Sequence, residues 1–188
     1  MIISHCCGGK INNFIASFLL PLFMVLTGYT LKSVSSVAEI KSRIWKDIKR
    51  LIVPAMITLL LRGILDVLIN GISVAETLKI QTKEFWWAFP FHTGWLPVWF
   101  LILLFWTKII YYLVDYYFGK ESYAIYFLLS FLGAYIGTTN YHPQALDIAM
   151  VMVIFLYFGS LLREKKNFLT NINCLSQLFF YILGYIAS

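Results

Sequence analysis

Apolar positions along this chain fall into long unbroken runs, and the polar residues collect in short segments between them. The runs Asn13–Leu31, Leu51–Asn70, Leu96–Tyr117, Tyr123–Thr139 and Leu146–Leu162 are each about as long as a helix needs to cross a bilayer. Shorter apolar stretches, Met1–Cys7 and Ile172–Ser188, read as partial spans at the two ends. The expected fold class is all-α: a polytopic transmembrane helix bundle of five full spans with a partial span at each end. Residues 1–188 are expected to form a single integral-membrane domain, cut within a span at either terminus.

The polar connections give an orientation. Lys32–Arg50 carries Lys32, Lys41, Arg43, Lys46, Lys49 and Arg50 against Glu39 and Asp47. Lys120 marks the next inner connection, and Arg163, Lys165 and Lys166 the last. Placing these on the cytoplasmic side lets the spans alternate without conflict. Gly71–Trp95 and Asn140–Ala145 then become outer loops, and His5 to Asn12 lies near the outer face. Within the first inner connection, Ser36-Val-Ala-Glu39 has capping-box spacing. Val37, Ile40, Ile44, Ile48 and Leu51 follow at helical intervals, which predicts a basic amphipathic helix at about 36–50 on the inner leaflet. Such a helix serves either as a lipid anchor or as a phosphate-binding surface.

Composition agrees with lipid as the solvent. The chain is 60% hydrophobic and 13% charged, a balance that would need a far larger core in a soluble domain. The net charge of +6 would suit nucleic acid, but the cations sit between spans, so they report topology and no nucleic-acid partner is expected. Cys6, Cys7 and Cys174 lack metal-ligand spacing, so no metal is expected. Trp86, Trp87 and Trp95 on the outer side, and Tyr111, Tyr112, Tyr116 and Tyr117 on the inner side, read as interfacial belts; Lys108 is expected to snorkel to the inner interface.

Polar groups inside apolar runs are costly and so mark candidate chemistry. Arg62 and Asp66 are four residues apart in the second run and can pair on one helical face. They form either a self-neutralising pair or part of an anion or hydroxyl site, and neither should face lipid. Asp147 opens the fifth run, where a helix dipole favours an acid. His142 lies in the outer loop before it. His5 is a titratable group at membrane depth, suited by its pKa to general-base work.

Several motifs, taken in order, resemble the integral-membrane acyltransferase family 3, in particular its fucose-4-O-acetylase-like sugar O-acetyltransferases. Met1-Ile-Ile-Ser-His5 is similar to the His-terminated end of the family's first span. Ser17-Phe-Leu-Leu-Pro21-Leu-Phe-Met-Val-Leu-Thr-Gly28-Tyr29 is similar to its second-span motif, with Leu19 where the family has His. Lys49-Arg50-Leu-Ile-Val-Pro54, Val98-Trp99-Phe100-Leu101, Leu146-Asp147-Ile148-Ala149 and Tyr157-Phe158-Gly159-Ser-Leu-Leu-Arg163 match the later motifs. The family carries more spans than this chain holds, so the chain resembles its central portion.

The resemblance implies transfer of an acyl group, commonly acetyl from acetyl-CoA, to a hydroxyl of a cell-surface glycan or lipid-linked precursor at the bacterial inner membrane. Acyl-CoA is then a co-substrate, and no bound cofactor is expected. The catalytic role carries over to His5 and donor-phosphate binding to Lys49 and Arg50. Trp99 and Asp147 help shape the cavity, to which the residue chemistry adds Arg62 and Asp66. Membrane lipid is the remaining partner. Two alternatives stay open: an inactive fragment of such an enzyme, and a small transporter subunit with Arg62 and Asp66 in its pathway.

Overall fold

A computed structural model describes residues 10–87, 96–119, 122–139 and 143–165. Two compact units divide the chain, one combining residues 1–32 with 157–188 and the other holding 33–156. Among the described residues every regular element is helical, as the apolar runs require: a backbone without water must satisfy its hydrogen bonds internally.

The first unit contains α1, Lys10–Thr30, and the last two turns of α7, Leu146–Glu164. They meet at Gly159, whose missing side chain leaves room for the Val25 carbonyl. A methyl there would also stand 2.7 Å from the Tyr29 amide nitrogen. Arg163 donates to the Leu31 carbonyl just past the end of α1. The Gly159-Ser-Leu-Leu-Arg163 string is thus a packing and capping device in this unit.

In the second unit the helical backbone is unbroken from Val37 to Asn70. It consists of α2, Val37–Asp47, a π-helical segment Ile48–Ile52, and α3, Val53–Asn70. The Ser36 hydroxyl accepts from the Glu39 amide, as capping-box spacing predicts. The Glu39 carboxylate reaches back past the cap, to the Ser35 amide and hydroxyl at 3.0 Å. The basic amphipathic helix therefore exists, and it has a protein neighbour. α2 and the π segment pack against α5, Leu96–Phe118.

The loop expected over Gly71–Trp95 contains a further helix, α4, Val74–Trp87. Gly71 ends α3 with φ 65°, the left-handed conformation glycine adopts at helix C-termini. Ser73 then accepts from the Glu76 amide and starts the next helix. α4 folds back along α3: Gln81 donates to the Leu59 carbonyl at 2.7 Å, and Gly63 makes room for Gln81 and Thr77. Ala55, Leu59, Val98 and Ile102 form the core there, with Phe85 and Trp106 packed around it.

α5 turns through Gly119 and Ser122 into α6, Tyr123–Thr139. Tyr111 stacks on Tyr126 across this hairpin, with centroids 5.9 Å apart. α6 and α7 approach closely because Ser130, Gly133 and Gly137 present small groups on one face. A methyl on Gly133 would lie 2.6 Å from the Asp147 carbonyl oxygen. By length and apolarity, three helices can cross a membrane: the Val37–Asn70 rod, Val98–Phe118 and Pro143–Glu164. Phe18–Thr30 and Tyr123–Thr138 are shorter apolar helices at the other two expected positions. The helix-bundle class stands. Met1–Cys7 and Ile172–Ser188 lie outside the described residues.

Candidate functional site

The inner cationic cluster is built on the π-helical segment. An extra residue in one turn shifts the face of every side chain beyond it, and π segments recur at functional sites. Lys49 and Arg50 both sit in this segment and are exposed, as are Lys41 and Lys46 on α2. The Lys49 ammonium lies 5.3 Å from the ring centroid of Trp45, itself 59% exposed. None of these four cations pairs with a carboxylate among the described residues.

The cations on the opposite face are consumed by the fold. Asp47 is buried, and its carboxylate accepts from the Lys108 ammonium and, at 2.9 Å, from the Tyr112 hydroxyl. Arg43 pairs with Glu39, donates to the Ser33 carbonyl at 2.8 Å, and stands 5.6 Å over the Tyr112 ring. Asp115, also buried, accepts from the Val34 amide at 2.8 Å and from the Ser33 hydroxyl. Two expectations are corrected here. Lys108 does not snorkel, because a buried carboxylate 61 residues earlier in the chain meets it. Tyr111 and Tyr112 are core residues, while Tyr117 is 70% exposed.

Arg62 and Asp66 pair as their spacing predicts, Nε to Oδ2 at 3.6 Å, and Asn70 donates to the same carboxylate at 3.0 Å. Ala55, Leu59, Arg62, Gly63 and Asp66 share the α3 face turned toward α4 and α5; Ile57, Leu60, Leu61, Ile64 and Leu68 are exposed on the other. Arg62 lies one turn beyond the level at which Leu59 clusters with Val98, so the pair stands near the Leu96 end of α5 and not midway along it. Near this level two buried polar atoms have no partner among the described residues: the Trp99 indole nitrogen and the Thr77 hydroxyl. An indole N–H is a donor only, so Trp99 can serve an acceptor oxygen.

Asp147 lies in the first turn of α7, and its Oδ2 would stand 3.1 Å from a methyl on Gly137 of α6. Just before it, Gln144 and Ala145 both adopt positive φ, 58° and 53°, a strained choice for residues other than glycine. The Trp106 indole donates to Gln144 Oε1 at 2.7 Å and holds that turn. His5 and His142 fall outside the described residues. Among the described residues no cluster of three or more His, Cys, Asp or Glu could hold a metal ion.

The candidate residues therefore form two separate groups. Lys49 and Arg50 mark one group on the π segment; Arg62, Asp66 and Trp99 lie toward the Leu96 end of α5, and Asp147 stands apart against α6. Arg50 and Arg62 are twelve residues apart on one rod, about 18 Å along its axis. Asp115, Thr77 and Gln144 were not singled out from sequence, and Asp47, Lys108 and Tyr112 were not read as partners. The Arg43–Asp47 and Lys108–Tyr112 pairs, each four apart, are the signal that two polar helix faces meet.

A search of curated proteins and a search of solved structures each found no match. A family model described as an acyltransferase domain matches residues 1–188, the whole chain. That match, together with apolar helices of membrane-crossing length, places the chain in the acyltransferase family 3 of integral membrane proteins.

Proposed function

We propose that this membrane acyltransferase is an O-acetyltransferase of the fucose-4-O-acetylase-like type. It moves an acetyl group from acetyl-CoA to a hydroxyl of a cell-surface glycan or its lipid-linked precursor, at the bacterial inner membrane. The observation that carries this reading is a whole-chain family match in a molecule whose π segment exposes Lys49 and Arg50, without a carboxylate partner among the described residues. Those cations suit the phosphates of a cytoplasmic donor, because charge-assisted bonds to phosphate are among the strongest available.

In this reading His5 takes the proton of the acceptor hydroxyl. The oxygen forms its bond to the thioester carbonyl carbon, the carbon–sulfur bond breaks, and the CoA thiolate leaves and recovers a proton. The products are a glycan ester and CoA. Trp99, Arg62, Asp66 and Asp147 frame the acceptor side, where the Trp99 N–H, without a partner among the described residues, offers a bond to a sugar oxygen. The test is the ester content of surface glycan in cells carrying wild type or His5→Ala, with membrane insertion checked in both. Loss of ester in the inserted variant supports the reading; unchanged ester removes His5 from the mechanism.

A further inference from the structure

We propose that one surplus residue in the π segment serves the reaction and not the packing: it is a positioning element that keeps Arg50 turned away from Asp47. Four buried positions mark the inward side of the rod, Ile40, Asp47, Ala55 and Leu59. Asp47 meets α5 through Lys108 and Tyr112, and Ala55 and Leu59 cluster with its Val98 and Ile102. Ile40 and Asp47 are seven residues apart, which returns an α-helix to within about 20° of the same face. Asp47 and Ala55 are eight apart. At α-helical pitch they would face about 80° apart, and Asp47 and Leu59 about 120° apart. Discounting one residue brings both pairs back to within about 20°. The segment Ile48–Ile52 absorbs that residue, and the Val53 amide donates to the Ile48 carbonyl, five positions back.

Packing alone does not ask for this surplus. A rod one residue shorter would bring both anchors to α5 with plain α-helical geometry. Pro54 gives the widened turn a local cause, since it has no amide for the Arg50 carbonyl and its ring crowds that carbonyl. The anchors on either side then hold the turn open, because eight residues must fit where seven would face alike.

The consequence falls on Arg50. Residues three apart on an α-helix are neighbours, so in an unbroken helix Asp47 and Arg50 would form an ion pair. Arg50 would then stand about 60° from the Asp47 face; with eight residues spread over two turns it stands about 90° away. The Asp47 carboxylate is left to Lys108 and Tyr112, and Arg50 is exposed with Lys49 beside it in sequence. A guanidinium kept from its own carboxylate keeps its charge for an anion from outside. The anion is the donor's phosphate, so this inference rests on the donor reading above.

The test compares the full chain with two variants in mixed micelles: Pro54→Ala, and Pro54→Ala with Leu51 deleted. Calorimetry reads the Kd for CoA, and denaturant unfolding reads the midpoint. Pro54→Ala keeps the surplus residue between its anchors and should bind CoA within about twofold of wild type. Deleting Leu51 removes the surplus while Asp47, Lys49, Arg50 and Ala55 all remain. Its midpoint should match or exceed that of Pro54→Ala, and CoA should bind about tenfold more weakly, the loss expected for one charged hydrogen-bonding group. Equal CoA affinity in the two variants overturns the positioning role and leaves the donor reading intact. Affinity already lost in Pro54→Ala assigns the turn to the proline and overturns the part given to the anchors. A shortened chain that unfolds or fails to insert also overturns the proposal, since packing would then need the surplus. A wild type that binds no CoA overturns the donor reading and this inference together.

Discussion

Removing the carboxylate of Asp47 should destabilise the second unit more than any surface charge change can. Lys108 and Asp47 keep only 13% and 7% of their side-chain surface exposed, so solvent screens the pair little. Asp47→Ala leaves a buried ammonium without its counter-charge and the Tyr112 hydroxyl without its acceptor. Losing one partner of a buried pair costs about 3–5 kcal/mol. The orphaned hydroxyl belongs to the same network, so its cost overlaps that figure and does not add in full. Replacing both charges and the hydroxyl together, Asp47→Leu with Lys108→Met and Tyr112→Phe, removes the desolvation cost as well as the attraction. That triple variant should return to within about 1 kcal/mol of wild type or exceed it. Reversible unfolding in mixed micelles, followed by tyrosine and tryptophan fluorescence, reads both. A loss below about 1 kcal/mol for Asp47→Ala would match an exposed ion pair and refute the buried latch.

Other substitutions test the packing and the turns. Gly133→Ala puts a methyl 2.6 Å from the Asp147 carbonyl oxygen and should force α6 and α7 apart, at about 1–3 kcal/mol in the same unfolding assay. Gly71→Ala meets no atom within 4 Å, so its loss of about 1 kcal/mol should come from the φ of 65° alone, and Gly71→Asn should recover part of it. Ser73→Ala removes the hydroxyl that accepts from Glu76 and should cost about 1 kcal/mol, with faster amide exchange confined to the first turns of α4.

What the sequence makes visible is what lipid dictates locally. An apolar run of set length needs a helix, and α6 has the ends its run implies, Tyr123 and Thr139. The amphipathic pattern with Ser36 and Glu39 marks where α2 begins. α4 is harder to see, because its mixed polar and apolar residues resemble a loop; yet Ser73-Val-Ala-Glu76 repeats Ser36-Val-Ala-Glu39 and carries the same start signal. The Gly133 and Gly137 spacing likewise signals close helix packing. The Asp47–Lys108 latch has no local signature, since its partners come from different helices and their meeting depends on tertiary register. For the same reason sequence spacing could not show that the Arg62–Asp66 pair stands near the Leu96 end of α5. His5 lies beyond the described residues, so its place in the site rests on the family resemblance.

The activity proposed for this chain is acyl transfer from a donor on the inner side. Proteoliposomes of defined orientation, loaded with a glycan acceptor, test it directly when labelled acetyl-CoA is supplied to one face at a time. Labelled glycan ester should form only when the donor meets the face carrying Lys49 and Arg50, and none should form with His5→Ala. Equal transfer from either face, or full transfer without His5, would contradict the account.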